Sequence, residues 1–100
     1  MFAHRVTVNL KANSAPETAR VIENEIIPML RKQKGFCREV TSITGERLYA
    51  DSYWETKEDA EAYQRTGYQK GLKSMVDVIV GLPLVSTFEV FNSTFQKLAA

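Results

Sequence analysis

From Phe2 to Leu10 the chain alternates. Phe2, His4, Val6, Val8 and Leu10 fall on one side, and Ala3, Arg5, Thr7 and Asn9 on the other. A period of two predicts a strand with one mainly apolar face. Asn13 and Ser14 interrupt it. Ser14-Ala-Pro-Glu17 then fits a capping box, in which the Ser14 hydroxyl accepts a first-turn N–H and Glu17 reaches back. Pro16 is tolerated there because first-turn N–H groups have no helical partner. Ala19, Ile22, Ile26, Met29 and Leu30 continue at helical spacing. Pro28 lies inside this helix, removes one hydrogen bond and crowds the carbonyl of Asn24, so a kink is expected. Gly35 is the expected C-terminal cap.

Phe36 to Thr44 carries β-branched Val40, Thr41, Ile43 and Thr44 and predicts a second strand. Gly45-Glu46 supplies a turn, and Leu48 to Glu55, rich in Tyr and Trp, predicts a third, making an antiparallel hairpin. Thr56, followed by Glu58 and Asp59, marks a helix start with acids where the dipole favours them. Ala60 and Tyr63 face inward. Gly67 is expected to break this helix, whose period resumes with Tyr68, Leu72, Met75, Val76 and Ile79 and runs to Val80. Gly81-Leu82-Pro83 ends it, and Leu84 to Phe91 predicts a fourth strand before a tail from Asn92 to Ala100.

The order is βαββαβ over residues 1–100, one domain. Right-handed crossovers make this an α+β, ferredoxin-like sandwich: a four-stranded antiparallel sheet with both helices on one face. The other face is left bare although Tyr49, Tyr53, Phe88 and Val90 alternate with Leu48, Trp54, Val85 and Phe91. A second copy covers such a face most simply, so a homodimer through the sheet is expected. Either register of the alternation carries apolar residues, which leaves open the face that the dimer buries.

Composition narrows the partners. Thirteen Lys and Arg stand against twelve Asp and Glu, a balance that supplies no basic field for nucleic acid. Arg31, Lys32 and Lys34 read as cations at a helix C-terminus. Cys37 is the single cysteine; it excludes an internal disulfide and is expected to be a buried, inert thiol. No Cys/His spacing suggests a metal, and no glycine-rich phosphate loop or dinucleotide motif suggests a cofactor. The N-terminus lacks the apolar run of a signal peptide and no stretch is long enough to span a bilayer, so the expected location is the cytoplasm, with no membrane partner.

Chemistry is sparse. His4 is the single histidine. It shares the strand face of Val6 and Val8, as a core histidine or as a polar group able to orient or deprotonate a ligand between sheet and helices. Trp54, Tyr63 and Tyr68 are core aromatics or the walls of a flat, mostly apolar pocket for a planar ligand. Glu55, Glu58, Asp59 and Glu61 read as capping and a solvated helix face, and Glu23 and Glu25 as solvent-facing or at an interface.

The strand–helix junction Trp54-Glu-Thr-Lys-Glu-Asp-Ala-Glu-Ala-Tyr63 resembles the Trp-x-Ser/Thr-x-Glu-x-hydrophobic turn of the antibiotic biosynthesis monooxygenase-like superfamily. The opening strand, the first helix ending near Gly35-Phe36 and the final aromatic strand are similar too. The resemblance implies a dimeric α+β barrel. Members of that superfamily oxidise aromatic compounds without metal or flavin, or degrade haem, and many have no known role. The haem-degrading branch uses an Asn, a Trp and a His at positions that hold His4, Tyr63 and Lys73 here, which argues against haem. The resulting expectation is a monooxygenase-like protein acting without a cofactor on a small phenol or quinol, with His4 as the catalytic candidate and Trp54, Tyr63 and Tyr68 as substrate-binding candidates. The alternative is a non-catalytic homodimer that binds a small molecule in a stress or regulatory role.

Overall fold

A computed structural model describes residues 1–92; apart from Asn92, the expected C-terminal tail lies outside the described residues. The chain runs β1 (Phe2–Leu10), α1 (Ala15–Val21), a π-helical turn (Ile22–Ile26), α2 (Ile27–Arg31), β2 (Phe36–Thr44), β3 (Arg47–Trp54), α3 (Lys57–Ser74) and β4 (Ile79–Glu89). The four strands form one antiparallel sheet in the order β2-β3-β1-β4. This is the ferredoxin-like arrangement, with the helical segments against one face.

Register assigns the faces. Val6 pairs with Ala50 and Val8 with Leu48. These residues, with His4, Ser52 and Trp54, point toward the helices. Arg5, Thr7, Tyr49, Asp51 and Tyr53 take the opposite, open face, where Val40, Leu84 and Phe88 are exposed. At its centre the Arg5 guanidinium forks onto Asp51, Nε to Oδ1 at 2.7 Å and Nη2 to Oδ2 at 2.8 Å. It also lies 5.7 Å from the Tyr49 ring centroid and 5.4 Å from that of Phe88.

Four local features differ from the sequence expectation, each for a physical reason. Pro28 produces a widened turn just ahead of it: the Ile27 N–H reaches Ile22 O, five residues back. A proline ring crowds the carbonyl four residues earlier, and a π turn moves that carbonyl aside. Ser14 does not cap α1 through its side chain; its hydroxyl donates to Lys11 O at 2.7 Å and closes the preceding turn instead. Gly67 does not break the second helix. α3 runs unbroken from Thr56, whose side chain accepts the Asp59 N–H, to Ser74. Finally, β4 begins at Ile79, so Gly81, Leu82 and Pro83 belong to the strand. They form an irregularity opposite Val8, between the pairs Thr7–Leu84 and Asn9–Val80, with Gly81 at φ 75°. An edge strand tolerates Pro83 because it need not donate on its outer side.

Cys37 is exposed, not buried. It is the extra residue of a bulge: Phe36 pairs with Trp54 but Arg38 with Tyr53. Partial desolvation raises its thiol pKa, leaving it a poor nucleophile.

Candidate functional site: an apolar cleft between helices and sheet

Two hydrophobic clusters fill the space between helices and sheet. One is built on Val8, Leu10, Ile22, Leu48, Met75 and Val78, the other on Leu30, Trp54, Ala60, Tyr63 and Tyr68. A cleft runs along their seam. Val6, Val8, Leu48 and Ala50 form its floor; Ile22, Ile26, Tyr63, Tyr68, Leu72 and Met75 form its walls and roof. It is narrow, with about 60 Å³ of room for a water-sized sphere. Beyond Ile22, Glu39 and Thr41 it meets a wider groove of about 770 Å³ between the π turn and edge strand β2, rimmed by Glu23, Asn24 and Arg31. Ile22, Glu39 and Thr41 line both spaces and so form the mouth.

Two glycines let the helices approach closely enough to form this roof. A Cβ on Gly67 would lie 2.8 Å from Tyr63 Cδ1 and 3.2 Å from Met29 Sδ. A Cβ on Gly71 would lie 3.4 Å from Ile26 Cδ1 and 3.9 Å from the Tyr63 hydroxyl. One helical turn apart, they leave a shallow strip on α3. The Tyr63 ring and the π turn settle against it.

The four site residues expected from sequence lie together. Trp54 is fully buried and stacks on Tyr63 with centroids 4.9 Å apart. His4 meets Tyr63 and Tyr68 edge-on, at 5.3 and 5.5 Å. Of the four, Tyr63 and Tyr68 line the cleft, whereas His4 and Trp54 stand behind them. The Trp54 indole N–H donates to Ser52 Oγ at 2.9 Å, and Ser52 Oγ donates to His4 O at 3.3 Å. His4 Nε2–H donates to Gln64 Oε1, which leaves Nδ1 as the unprotonated nitrogen. Nδ1 is buried and meets no hydrogen-bond partner among the described residues. Desolvation lowers the His4 pKa, only partly offset by Gln64, so the ring stays neutral. Burial pushes both tyrosine hydroxyls up, so they remain neutral donors.

Glu39 is the cleft residue that periodicity missed. Strict alternation from Phe36 would put it on the open face, but the Cys37 bulge shifts the count, so Glu39 pairs with Ser52 and points toward the helices. Its Oε2 accepts the Thr41 hydroxyl at 3.3 Å. Desolvation among apolar side chains, together with the nearby Asp51 charge, pushes its carboxyl pKa up to about 8. The only sequence signal was that Glu39 is the single acid of its strand.

The residues present do not fit a histidine-ligated haem. His4 is buried behind the tyrosines and committed to Gln64, and Lys73 is exposed. Among the described residues no three His, Cys, Asp or Glu side chains gather to hold a metal ion, and no helix is long and apolar enough to cross a membrane.

No protein-family model and no curated protein matches the sequence. Solved structures do match the fold. A candidate antibiotic biosynthesis monooxygenase from Nitrosomonas europaea superposes with a TM-score of 0.73 at 14% identity, covering 92% of this chain and 100% of that one. A monooxygenase from the ActVA-Orf6 gene of Streptomyces coelicolor, in complex with nanaomycin D, gives 0.71 at 14% identity, covering 92% and 88%. A mutant of MhuD with two manganese protoporphyrin IX molecules bound per active site gives 0.72 at 17% identity, covering 94% and 98%. The chain therefore has an α+β, ferredoxin-like fold. It shares this fold with solved structures named as antibiotic biosynthesis monooxygenases, the resemblance that its Trp54–Tyr63 junction suggested.

Proposed function

We propose that the chain is a monooxygenase-like protein that takes a small planar aromatic molecule into the cleft between helices and sheet and oxidises it without a cofactor. The observation that carries this reading is the cleft: a narrow apolar slot, walled by two neutral tyrosines, with one carboxylate at its mouth. A small, mostly apolar cleft walled by tyrosine rings suits an aromatic ligand, and a few polar groups set its orientation. The fold it shares with the monooxygenases supports the reaction type.

In this reading the ring of a phenol lies against Tyr63 and Tyr68. Loss of its hydroxyl proton makes the ring electron-rich, and that anion reacts directly with dioxygen. One oxygen atom enters the ring as a new carbonyl and the other leaves as water, so phenol plus dioxygen yields quinone plus water. The apolar walls exclude bulk water from the intermediate. Trp54 and His4 act from behind as positioning residues, holding the Tyr63 and Tyr68 rings in place. The assembly in this reading is a homodimer through the open sheet face, which covers Phe88, Leu84 and Val40 around the Arg5–Asp51 pair. Oxygen uptake on mixing the protein with a panel of naphthols and hydroquinones tests the reaction. Uptake that is lost when Tyr63 and Tyr68 are both changed to Ala, in a variant that still folds, supports it. No uptake above buffer with any member contradicts it.

One observation favours a second reading, a non-catalytic binding module. The slot has little free volume, which suits retention of one small apolar molecule better than turnover of a bulky one. Stoichiometric binding without oxygen uptake is its signature.

A further inference from the structure

We propose that Glu39 is the proton acceptor of the cleft and that it selects ligands bearing an aromatic hydroxyl. The inference rests on the reading that the cleft binds flat aromatic molecules. It goes beyond that reading by naming the residue that takes the phenol's proton.

Position comes first. Glu39 and Thr41 are the polar side chains that line both the inner slot and the outer groove. A ring seated against Tyr63 and Tyr68 therefore has aliphatic carbon around most of its edge, and a hydroxyl on it finds its acceptor at the mouth. Thr41 already donates to Glu39 Oε2. This leaves lone pairs on Glu39 for a second donor.

Acidity is matched to the task. A general base works best when its pKa lies near the operating pH, where it is partly ionised yet basic enough to draw a proton. An ordinary glutamate is about six units too weak for a phenol, whereas the Glu39 carboxyl is pushed up to about 8. The shift comes chiefly from desolvation, and the charges around Glu39 act in both directions. On β3, Asp51 raises the pKa further. On α3, neutral Tyr63 faces it across the slot; on the π turn and α2, Glu23 and Arg31 rim the outer groove with opposite charges. On its own strand, the Thr41 hydrogen bond favours the ionised form. The step starts from the ionised fraction of Glu39, whose own proton has left to solvent: the phenol O–H bond breaks, a carboxyl O–H bond re-forms on Glu39, and the negative charge moves onto the ring oxygen, so that one proton in all reaches solvent. His4 cannot fill this place from its observed position, because it stands behind Tyr63 and Tyr68 with Nε2 engaged by Gln64.

An aromatic ammonium ion is the competing ligand class, since a carboxylate beside tyrosines also attracts cations. The slot disfavours it. Its remaining lining is almost wholly apolar and would leave the other ammonium protons unpaired.

Calorimetric titration decides the matter, using naphthalene, 2-hydroxynaphthalene and naphthylmethylammonium at pH 7 in two buffers of different protonation enthalpy, with wild type and Glu39→Gln. With its pKa at about 8, Glu39 is mostly protonated at pH 7, so forming the bound phenolate passes the proton that Glu39 already holds, net, to solvent. Hydroxynaphthalene binding to wild type should therefore release about half to one proton per ligand. Naphthalene should release none. In Glu39→Gln, hydroxynaphthalene should release none and should lose about tenfold in affinity, while naphthalene binds at least as well as to wild type. Equal proton release by both proteins, no release by wild type, or tighter binding of the ammonium probe overturns the assignment of Glu39. If naphthalene binds neither protein, the reading of the cleft fails, and the role of Glu39 fails with it.

Discussion

The Trp54 indole lies on the Tyr63 ring, centroids 4.9 Å apart and planes 25° apart. The first residue ends β3 and the second sits two turns into α3. The stack therefore ties the strand–helix junction to the wall of the cleft. Replacing Trp54 with Ala should destabilise the protein by about 3–5 kcal/mol, since it empties a fully buried site. Tyr63→Phe keeps the stack and should cost less than about 1.5 kcal/mol. Urea denaturation of the two variants checks the contrast.

Gly67 and Gly71 make opposite predictions. An alanine methyl at Gly67 meets Tyr63 at 2.8 Å and must displace the ring; Gly67→Ala should destabilise by about 1–3 kcal/mol despite better helix propensity. At Gly71 the nearest atom is 3.4 Å away, so Gly71→Ala should be neutral or stabilising by up to about 1 kcal/mol. Its methyl narrows the slot, and ligand affinity should fall. Thermal melts together with ligand titration check both.

Glu39 makes stability depend on pH with a definite sign. Its folded-state pKa, about 8, lies above the ordinary 4.5. Between these values the unfolded chain is ionised while the folded one holds its proton. Stability is therefore full below about pH 4.5, falls as pH rises toward 8, and stays low above it. Glu39→Gln removes this loss. At pH 9 it should gain up to about 3 kcal/mol after allowance for the half-buried position, and at pH 4 almost nothing. Chemical denaturation at the two pH values reads the difference.

His4 governs the acid side. Its folded-state pKa is lowered from 6.5 by burial, so its contribution is intact above about pH 6.5. It is lost as pH falls from there through the lower folded value, because the unfolded chain then binds a proton the folded one refuses. Following the His4 ring by NMR should show its titration midpoint below 6.5. A ring that titrates at 6.5 or above contradicts the buried geometry.

The open sheet face carries its own test. Leu84 is 68% exposed on the sheet face that also carries Phe88 and the Arg5–Asp51 pair. If that face meets a second copy, Leu84→Glu should convert a dimer to a monomer in sedimentation while leaving the monomer fold intact. A wild type that sediments as a monomer at high concentration contradicts the proposed assembly.

The comparison of sequence with structure has a physical pattern. β1, β2, the hairpin turn and the Thr56 cap were legible because each rests on local chemistry: alternation, a glycine turn, a side-chain oxygen before an acidic first turn. His4, Trp54, Tyr63 and Tyr68 were legible as a group because apolar periodicity and topology bring them to one layer. What escaped depends on contacts distant in sequence. Gly67 reads as a breaker until the Tyr63 ring and Met29 are laid over it. Gly81-Leu82-Pro83 reads as a terminator until β1 is placed beside it to absorb a bulge. Pro28 promises a kink, and whether the helix bends or widens is decided by packing against α3. The Cys37 bulge matters most: one inserted residue reverses the face of every side chain after it and carries Glu39 into the cleft.

The most direct test of the central claim is a crystal structure grown with 2-hydroxynaphthalene. The account predicts the ring between the sheet floor and the Tyr63–Tyr68 wall, its oxygen within hydrogen-bonding distance of Glu39. Met75 and Leu72 closed over a ligand-free slot, or the ring seated elsewhere, would contradict it.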